Sequence, residues 1–231
     1  MADYFNELGQ PIGAPLTTAL PRPRPPRTPM QGRWCAVVPL DPDAHAAALY
    51  AAYAADREGR IWTYLPTGPF ADLAAYRAWM DQTCLTDDPL FHTILVEGRP
   101  LGVASLMRID PTHGVIEVGH INFSPALSQT RAATEAMFLM MSRAFDELGY
   151  RRYEWKCDAL NAPSRRAALR LGFTYEGTFR QATTYKGRNR DTAWFAITDG
   201  DWPRLKAGFQ AWLDPANFDA SGQQHSRLHQ G

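Results

Sequence analysis

Two junctions in this sequence carry residue types that could do chemistry. The first is Ser124-Pro125-Ala126-Leu127-Ser128-Gln129-Thr130-Arg131-Ala132-Ala133-Thr134-Glu135. It joins a run of strand character to a long amphipathic segment. A helix start presents N–H groups without intrahelical partners and the positive end of the helix dipole. Phosphates bind at such places. The small side chains would let a ligand approach the backbone, and Arg131 adds a positive charge. The plain alternative is an ordinary strand-to-helix turn. The second junction is Asn161-Ala162-Pro163-Ser164-Arg165-Arg166. Asn161 can cap a short helix, which by itself would explain the residue. Ser164 falls in the first turn, where it could equally be a solvated hydroxyl. The arginine pair offers charge-assisted bonds to an anion.

The charge distribution agrees with a local anion site. The chain has 24 Lys/Arg and 24 Asp/Glu, a net of zero. A general polyanion binder is therefore not expected, and no nucleic-acid partner is. Residues 34–150 hold 7 basic against 14 acidic side chains, whereas residues 151–190 hold 10 against 3. Cys35, Cys84 and Cys157 are odd in number and widely spaced. They form no metal motif and no disulfide framework, so reduced thiols and no metal are expected.

These residues need elements to position them. Trp34 to Leu40 reads as a first strand, and Asp41 to Arg57 as a helix with Asp41 or Asp43 at its start. Residues 61–70 read as an aromatic loop. Asp72 to Thr83 reads as a second helix. Phe91 to Glu97, Leu101 to Ile109 and Val115 to Phe123 make a three-strand meander with turns at Gly98-Arg99-Pro100 and Asp110-Pro111-Thr112-His113-Gly114. Ser128 to Leu148 carries apolar residues at i, i+3 and i+4 steps and ends at Gly149. Its methionines read as core filling. Tyr150 to Asp158 is a strand. Pro163 to Leu171 is a short helix stopped by Gly172. Phe173 to Tyr185 and Arg190 to Ile197 make a hairpin turned by Lys186-Gly187-Arg188-Asn189. Mixed strands and helices of this order predict an α/β (α+β) sheet with helices on both faces.

Length and composition bound the rest. The 231 residues suit one domain with extensions, and 45% hydrophobic residues are enough for a packed core. The expected division is an N-terminal arm (1–33), a domain (34–210) and a tail (211–231) that frays from Ser221. Prolines and arginines from Pro21 to Pro29 make the arm extended and polyproline-like. It reads as a linker or a surface strap. No apolar run approaches the roughly 18 residues of a membrane span. Met1-Ala2-Asp3-Tyr4 lacks the charged and apolar regions of a signal peptide. A cytoplasmic protein without a membrane partner is expected.

The order of elements, the helix signature Ala133-Thr134-Glu135-Ala136 and Asn161-x-x-Ser164 followed by Leu171-Gly172-Phe173 and Glu176-Gly177 resemble the GNAT N-acetyltransferases. The nearest branch is the RimJ/RimL type, whose named members acetylate protein N-termini. The resemblance covers roughly residues 34–200. It implies a GNAT fold: a mixed, mostly antiparallel twisted sheet whose fourth and fifth strands splay. It also implies acetyl-CoA as cosubstrate. The pantetheine arm would lie in the splay beside Ile121, Asn122 and Phe123, with Asn161 and Ser164 binding it. The pyrophosphate would meet Gln129, Thr130, Arg131, Ala132 and Ala133, with Arg165 and Arg166 nearby. The loop departs from the family's Gln/Arg-x-x-Gly-x-Gly/Ala pattern: Ser128 and Arg131 replace the first Gln/Arg and the middle Gly.

The reaction implied is acyl transfer from a thioester to an amine, which needs a base, an oxyanion donor and an acid for the leaving thiolate. Glu117, in Glu117-Val118-Gly119-His120, matches the family's base, and Ser164 its acid. His120 is the reserve base. Strand alternation places Glu117 and His120 on opposite faces unless a bulge intervenes. Trp62, Tyr64 and Phe70 occupy the family's acceptor region, faced by Asp191 and Trp194. Core packing is the competing account of each aromatic, and an ion pair with Arg188 or Arg190 that of Asp191. The acceptor is expected to be a small-molecule primary amine. A peptide N-terminus is the second enzymatic reading, and a non-catalytic CoA-binding sensor module the alternative from another class. Monomer and homodimer both remain open.

Overall fold

The computed structural model describes residues 4–228. Residues 1–3 of the expected arm and 229–231 of the expected tail lie outside the described residues.

The centre is an eight-stranded sheet. Its strands are β3 (Met30–Gln31), β4 (Ala36–Pro39), β5 (Leu90–Val96), β6 (Arg99–Asp110), β7 (Val115–Phe123), β8 (Arg152–Asp158), β9 (Thr174–Tyr185) and β10 (Arg188–Thr198). They run in the order β3-β4-β5-β6-β7-β8-β10-β9. Every pair is antiparallel except β7 with β8, which is parallel. A small hairpin, β1 (Tyr4–Phe5) with β2 (Pro11–Ile12), stands apart from it. This is the mixed, mostly antiparallel sheet expected, and β7 and β8 are the fourth and fifth strands counted from Ala36.

Helices cover both faces. α1 (Pro42–Tyr53) and α2 (Leu73–Thr83) pack with Trp62, Phe91 and Val103 into an aromatic core on one face. α3 (Arg131–Ser142), α4 (Ala162–Arg170) and α5 (Trp202–Leu213) contribute to the larger core on the other. Met137, Met140 and Met141 of α3 are buried there. Each such side chain contributes about 1.5–3 kcal/mol through burial.

Several boundaries differ from the sequence expectation, each for a local reason. α3 starts at Arg131 rather than Ser128, because the Thr130 hydroxyl accepts from Ala133 N at 3.1 Å and so caps the helix there. After Ser142 the helix widens into a π-turn, Arg143–Glu147, before Gly149 ends it with a φ of 68°. The hairpin turn is two residues, not four. Lys186 and Gly187 both have positive φ (49° and 70°), the backbone of a type I′ turn, and Arg188 already pairs with Tyr185. The 210/211 boundary falls inside α5. Beyond it, Phe218 bridges to Gln224, and Trp212 Nε1 donates to Gln224 Oε1 at 2.8 Å, so the described part of the tail is not frayed.

The proline/arginine arm lies on the domain. A buried arginine serves carbonyls of the arm: Arg143 donates to Thr28 O at 3.3 Å and Pro29 O at 3.2 Å. Arg22 Nε donates to Gly149 O at 2.6 Å, and Arg27 to Thr86 O at 2.6 Å. The arm then enters the sheet as β3. Glu135 closes the junction, its carboxylate accepting from the N–H groups of Arg33, Trp34 and Cys35 at 2.8, 2.6 and 2.8 Å.

Candidate active site

The parallel β7–β8 ladder runs from Val115 opposite Arg152 to Val118 opposite Trp155, and stops. Beyond it, Gly119–Phe123 and Lys156–Asp158 diverge. The cause is a bulge in β7. Ser105 of β6 pairs with Gly119 and Val103 with Asn122, so Ala104 alone faces both His120 and Ile121. His120 takes a φ of 48° to accommodate the extra residue. β8 meanwhile stays zipped to β10 as far as Asp158 opposite Thr192. An unpaired edge of β7 therefore borders a gap. Short links lead from the diverging strand ends into α3 and α4, so both helices begin at the open end. The two helices touch, Arg170 of α4 donating to Thr134 Oγ1 at 3.1 Å.

The residues expected at the phosphate end have mixed duties. Ala132 and Ala133 are buried and expose no obstructing side chain. Gln129 is exposed, with a φ of 62°. The Thr130 hydroxyl is committed to capping and to Leu127 O, at 2.7 Å. Arg131 is drawn into a stack with rings, its guanidinium 3.6 Å from the Trp34 centroid and 5.4 Å from that of Phe218. Asn161 caps α4, its Oδ1 accepting from Ser164 N at 3.1 Å. Arg165 donates to Ala159 O at 3.1 Å, whereas Arg166 is exposed. Ile121 and Phe123 are half-buried beside the gap. Asn122 is 4% exposed, and neither atom of its amide has a hydrogen-bond partner among the described residues.

The bulge also brings Glu117 and His120 to one face, against simple strand alternation. His120 Nδ1 lies 3.0 Å from Ser105 Oγ, and its ring 4.9 Å from that of Phe91, which is paired with Ser105. Burial holds the imidazole below its ordinary pKa, so the ring is neutral near pH 7. With Asn122, Thr67, Trp62, Tyr76 and Trp79 it lines a cavity of about 10 Å³.

Glu117, the base expected from the motif, is tied up. Its Oε2 is 2.7 Å from Lys156 Nζ and 3.2 Å from Arg108 Nε. Lys156 also contacts Glu154 at 2.7 Å, and Arg152 links Glu154 at 2.6 Å to Glu176 at 2.5 Å. A chain of six alternating charges thus crosses β6, β7, β8 and β9 at the root of the gap. Burial pushes the Glu117 carboxyl up, and Lys156 and Arg108 pull it down; the net shift is upward. Ser164 Oγ accepts from Trp155 Nε1 at 2.9 Å and keeps its own hydrogen to donate elsewhere.

On the acceptor side, Trp62 packs edge-on to Phe70 at 5.5 Å. Tyr64 OH donates to Leu160 O at 3.1 Å, tying the aromatic loop to the link after β8. Lys186 donates to Trp62 O at 2.7 Å and Arg188 to Thr63 O at 3.0 Å, so the β9–β10 turn closes on that loop. Trp194 stacks on Phe179 at 4.6 Å, with Lys156 Nζ 3.8 Å from its ring centre. The Asp191 carboxylate accepts from Gln181 N at 2.8 Å and Asn189 Nδ2 at 2.9 Å, bracing the hairpin's own irregularity, and no arginine pairs with it among the described residues.

Ser105, Lys156, Glu154 and Arg108 were not singled out from the sequence. Glu154-x-Lys156-x-Asp158 was a usable signal: charged residues every second position on a strand otherwise apolar. Nothing local marks Ser105. Among the described residues, no group of three His, Cys, Asp or Glu side chains could hold a metal, and no helix is long and apolar enough to cross a membrane.

Comparison with known proteins gives the same outline. A family model described as an acetyltransferase (GNAT) domain matches residues 36–174. A GCN5-related N-acetyltransferase from Brucella melitensis is 48% identical over 92% of this chain and 97% of its own, with a TM-score of 0.90. A probable GNAT-family acetyltransferase from Chromobacterium violaceum is 42% identical over 84% and 100%, with a TM-score of 0.76. RimJ from Mycobacterium smegmatis, at 19% identity over 77% and 88% and a TM-score of 0.63, shares the fold. No curated protein matches the chain.

Proposed function

From the premise that the chain belongs to the GNAT acetyltransferase family, acetyl-CoA-dependent acyltransferases, we propose that it acetylates the primary amine of a small molecule. The gap between β7 and β8 carries this reading, because it offers what a thioester's linker needs. Beyond Val118 the β8-facing edge of β7 has no ladder partner, so backbone groups directed to that side can pair with an amide-bearing arm, and the unpartnered Asn122 side-chain amide lies on the same segment. The start of α3 suits a diphosphate through the N–H groups of Gln129, Arg131 and Ala132, those of Thr130 and Ala133 being engaged within the turn. Asn161 and Ser164 flank the arm, and Arg165 and Arg166 add positive charge at the start of α4. Acetyl-CoA, when bound, supplies an activated acetyl group and a thiolate leaving group.

The chain's own residues supply the proton chemistry. His120 takes the proton of the acceptor ammonium, being neutral, half-buried and unencumbered by a counter-ion. Glu117 is less suited, because transfer to it would break its pairing with Lys156 and Arg108. The Ser164 hydroxyl, oriented by Trp155, gives a proton to the leaving group. The enclosure favours a compact acceptor: Trp62, Tyr76 and Trp79 line the small cavity beside His120, and Lys186 and Arg188 tie the β9–β10 turn to the aromatic loop. A peptide would need an open trough at that place.

Calorimetric titration with acetyl-CoA, then an amine panel read by thiol release, tests the proposal. Turnover of small aromatic or aliphatic amines in preference to peptides is expected. Binding without turnover across the panel would refute catalysis, and faster turnover of peptide N-termini would refute the small acceptor.

A further inference from the structure

His120 is useful as a base only if the nitrogen facing the acceptor has its lone pair free. A neutral imidazole carries one N–H, on either nitrogen. Which one carries it is set by the hydrogen bond that the other atom of the ring is offered.

Ser105 makes that choice. Its side chain is fully buried and cannot turn to water. Its Oγ lies 3.1 Å from Gly119 O and 3.0 Å from His120 Nδ1. A backbone carbonyl only accepts, so the single hydroxyl hydrogen must lie on the line to Gly119 O. Were it turned to the ring instead, two buried oxygens would face each other at hydrogen-bond distance with no hydrogen between them. With its hydrogen committed, Oγ can only accept from the ring. Nδ1 therefore carries the N–H, and Nε2 is the bare nitrogen.

We propose that Ser105 is a positioning residue that locks His120 as its Nδ1–H tautomer and reserves the Nε2 lone pair for the acceptor's proton. This rests on the acetyl-transfer reading for its role, not for its geometry. The same relay serves the charged form. When Nε2 takes the proton and the acceptor's N–H bond breaks, Nδ1–H is already donating to Ser105, and Ser105 to Gly119 O. Both dipoles point correctly for an imidazolium, and hydrogen bonds to a charged donor strengthen. No group has to turn over during the transfer. The proton then leaves Nε2 for water. The bulge contributes directly, since it delivers Gly119 O and the His120 ring to the same hydroxyl, while Phe91 limits the ring's rotation.

The test is long-range ¹H–¹⁵N spectroscopy on the full chain labelled at histidine, with His120 assigned by its loss in His120→Gln. The wild-type ring should show a protonated Nδ1 and an unprotonated Nε2 near neutral pH, with no ligand needed. Ser105→Ala should release the tautomer and lower kcat by about 2- to 12-fold, the factor matching one neutral hydrogen bond. The KM for acetyl-CoA should not move. Ser105→Thr, which keeps the hydroxyl, should restore both tautomer and rate. A wild-type ring protonated at Nε2 overturns the assignment, and needs no variant to fold. A Ser105→Ala protein with wild-type tautomer and kcat overturns it too. The expected spectrum together with an undiminished kcat in His120→Gln would overturn the positioning role. An inactive protein with the expected spectrum would refute acetyl transfer alone.

Discussion

Replacing Lys156 with methionine should weaken the fold at the root of the gap. Nζ lies 2.7 Å from both the Glu117 and the Glu154 carboxylates, and all three side chains are 9% exposed or less. Methionine keeps much of the stem but leaves two buried carboxylates on one side of the sheet without their shared cation. Removing one partner of a buried pair costs about 3–5 kcal/mol. The outer arginines offset part of this, Arg108 being 64% and Arg152 26% exposed, so the low end applies. At about 2–4 °C per kcal/mol for a domain of this size, the unfolding midpoint should fall by about 6–12 °C. Thermal unfolding followed by circular dichroism at pH 7 and pH 5 measures it. The deficit should shrink at pH 5. Without Lys156 the Glu117 carboxyl titrates still higher, so protonation relieves the native state of the variant more than that of the wild type. The double variant Glu117→Gln/Lys156→Met should recover at least part of the loss, because Glu154 keeps Arg152. A midpoint within about 1 °C of wild type would be less than a single kcal/mol and would refute the reasoning. So would a double variant no more stable than Lys156→Met. Glu117→Gln, assayed well below its midpoint, should keep kcat within about tenfold; a loss of 10²- to 10⁴-fold would return the base to Glu117.

The remaining predictions are briefer. Burial lowers the His120 pKa, and the working form is neutral, so kcat/KM should rise with pH through a value below 6.5 and be level by pH 7 on that limb. An acid limb centred above 7 would rule His120 out, and its disappearance in Glu117→Gln would implicate that carboxylate instead. His92 is fully buried, and desolvation, helped by the charge of Arg143, brings its pKa from 6.5 to about 4. The unfolded chain then binds the extra proton, so stability is complete above pH 6.5 and is lost as pH falls toward 4, by up to roughly 3 kcal/mol. Urea midpoints of His92→Leu should be flatter than wild type across that window, and equal slopes would refute the point. Arg131→Ala should cost about 0.5–2 kcal/mol of stability through its lost ring contacts while moving the acetyl-CoA Kd little; a large rise in Kd would show that the guanidinium grips phosphate.

Much of the architecture was legible because it depends on local signals. The apolar steps from Ala133 to Leu148, the capping Asn161 and the turn glycines specify elements from a few neighbouring residues, and those elements formed close to the expected positions. The family pattern names residues for a ligand site on the starts of α3 and α4 and on Ile121–Phe123, and the fold places those segments around the divergence of β7 and β8. Less legible were features set by pairing across strands. The irregular β9–β10 pairing engages the Asp191 carboxylate. Lys156 and Arg108, from two other strands, hold Glu117, the base that the family pattern implies.

The amino-acid order thus determined the elements and where α3 and α4 start, because propensity, capping and periodicity act over a few residues. Only the tertiary structure decided where the strands part and which side chains meet there. The bulge at His120 reverses strand parity, puts the imidazole on the same face as Glu117 and joins it to Ser105. That outcome comes from pairing two against one across β6 and β7, and no short-range pattern in the chain encodes it.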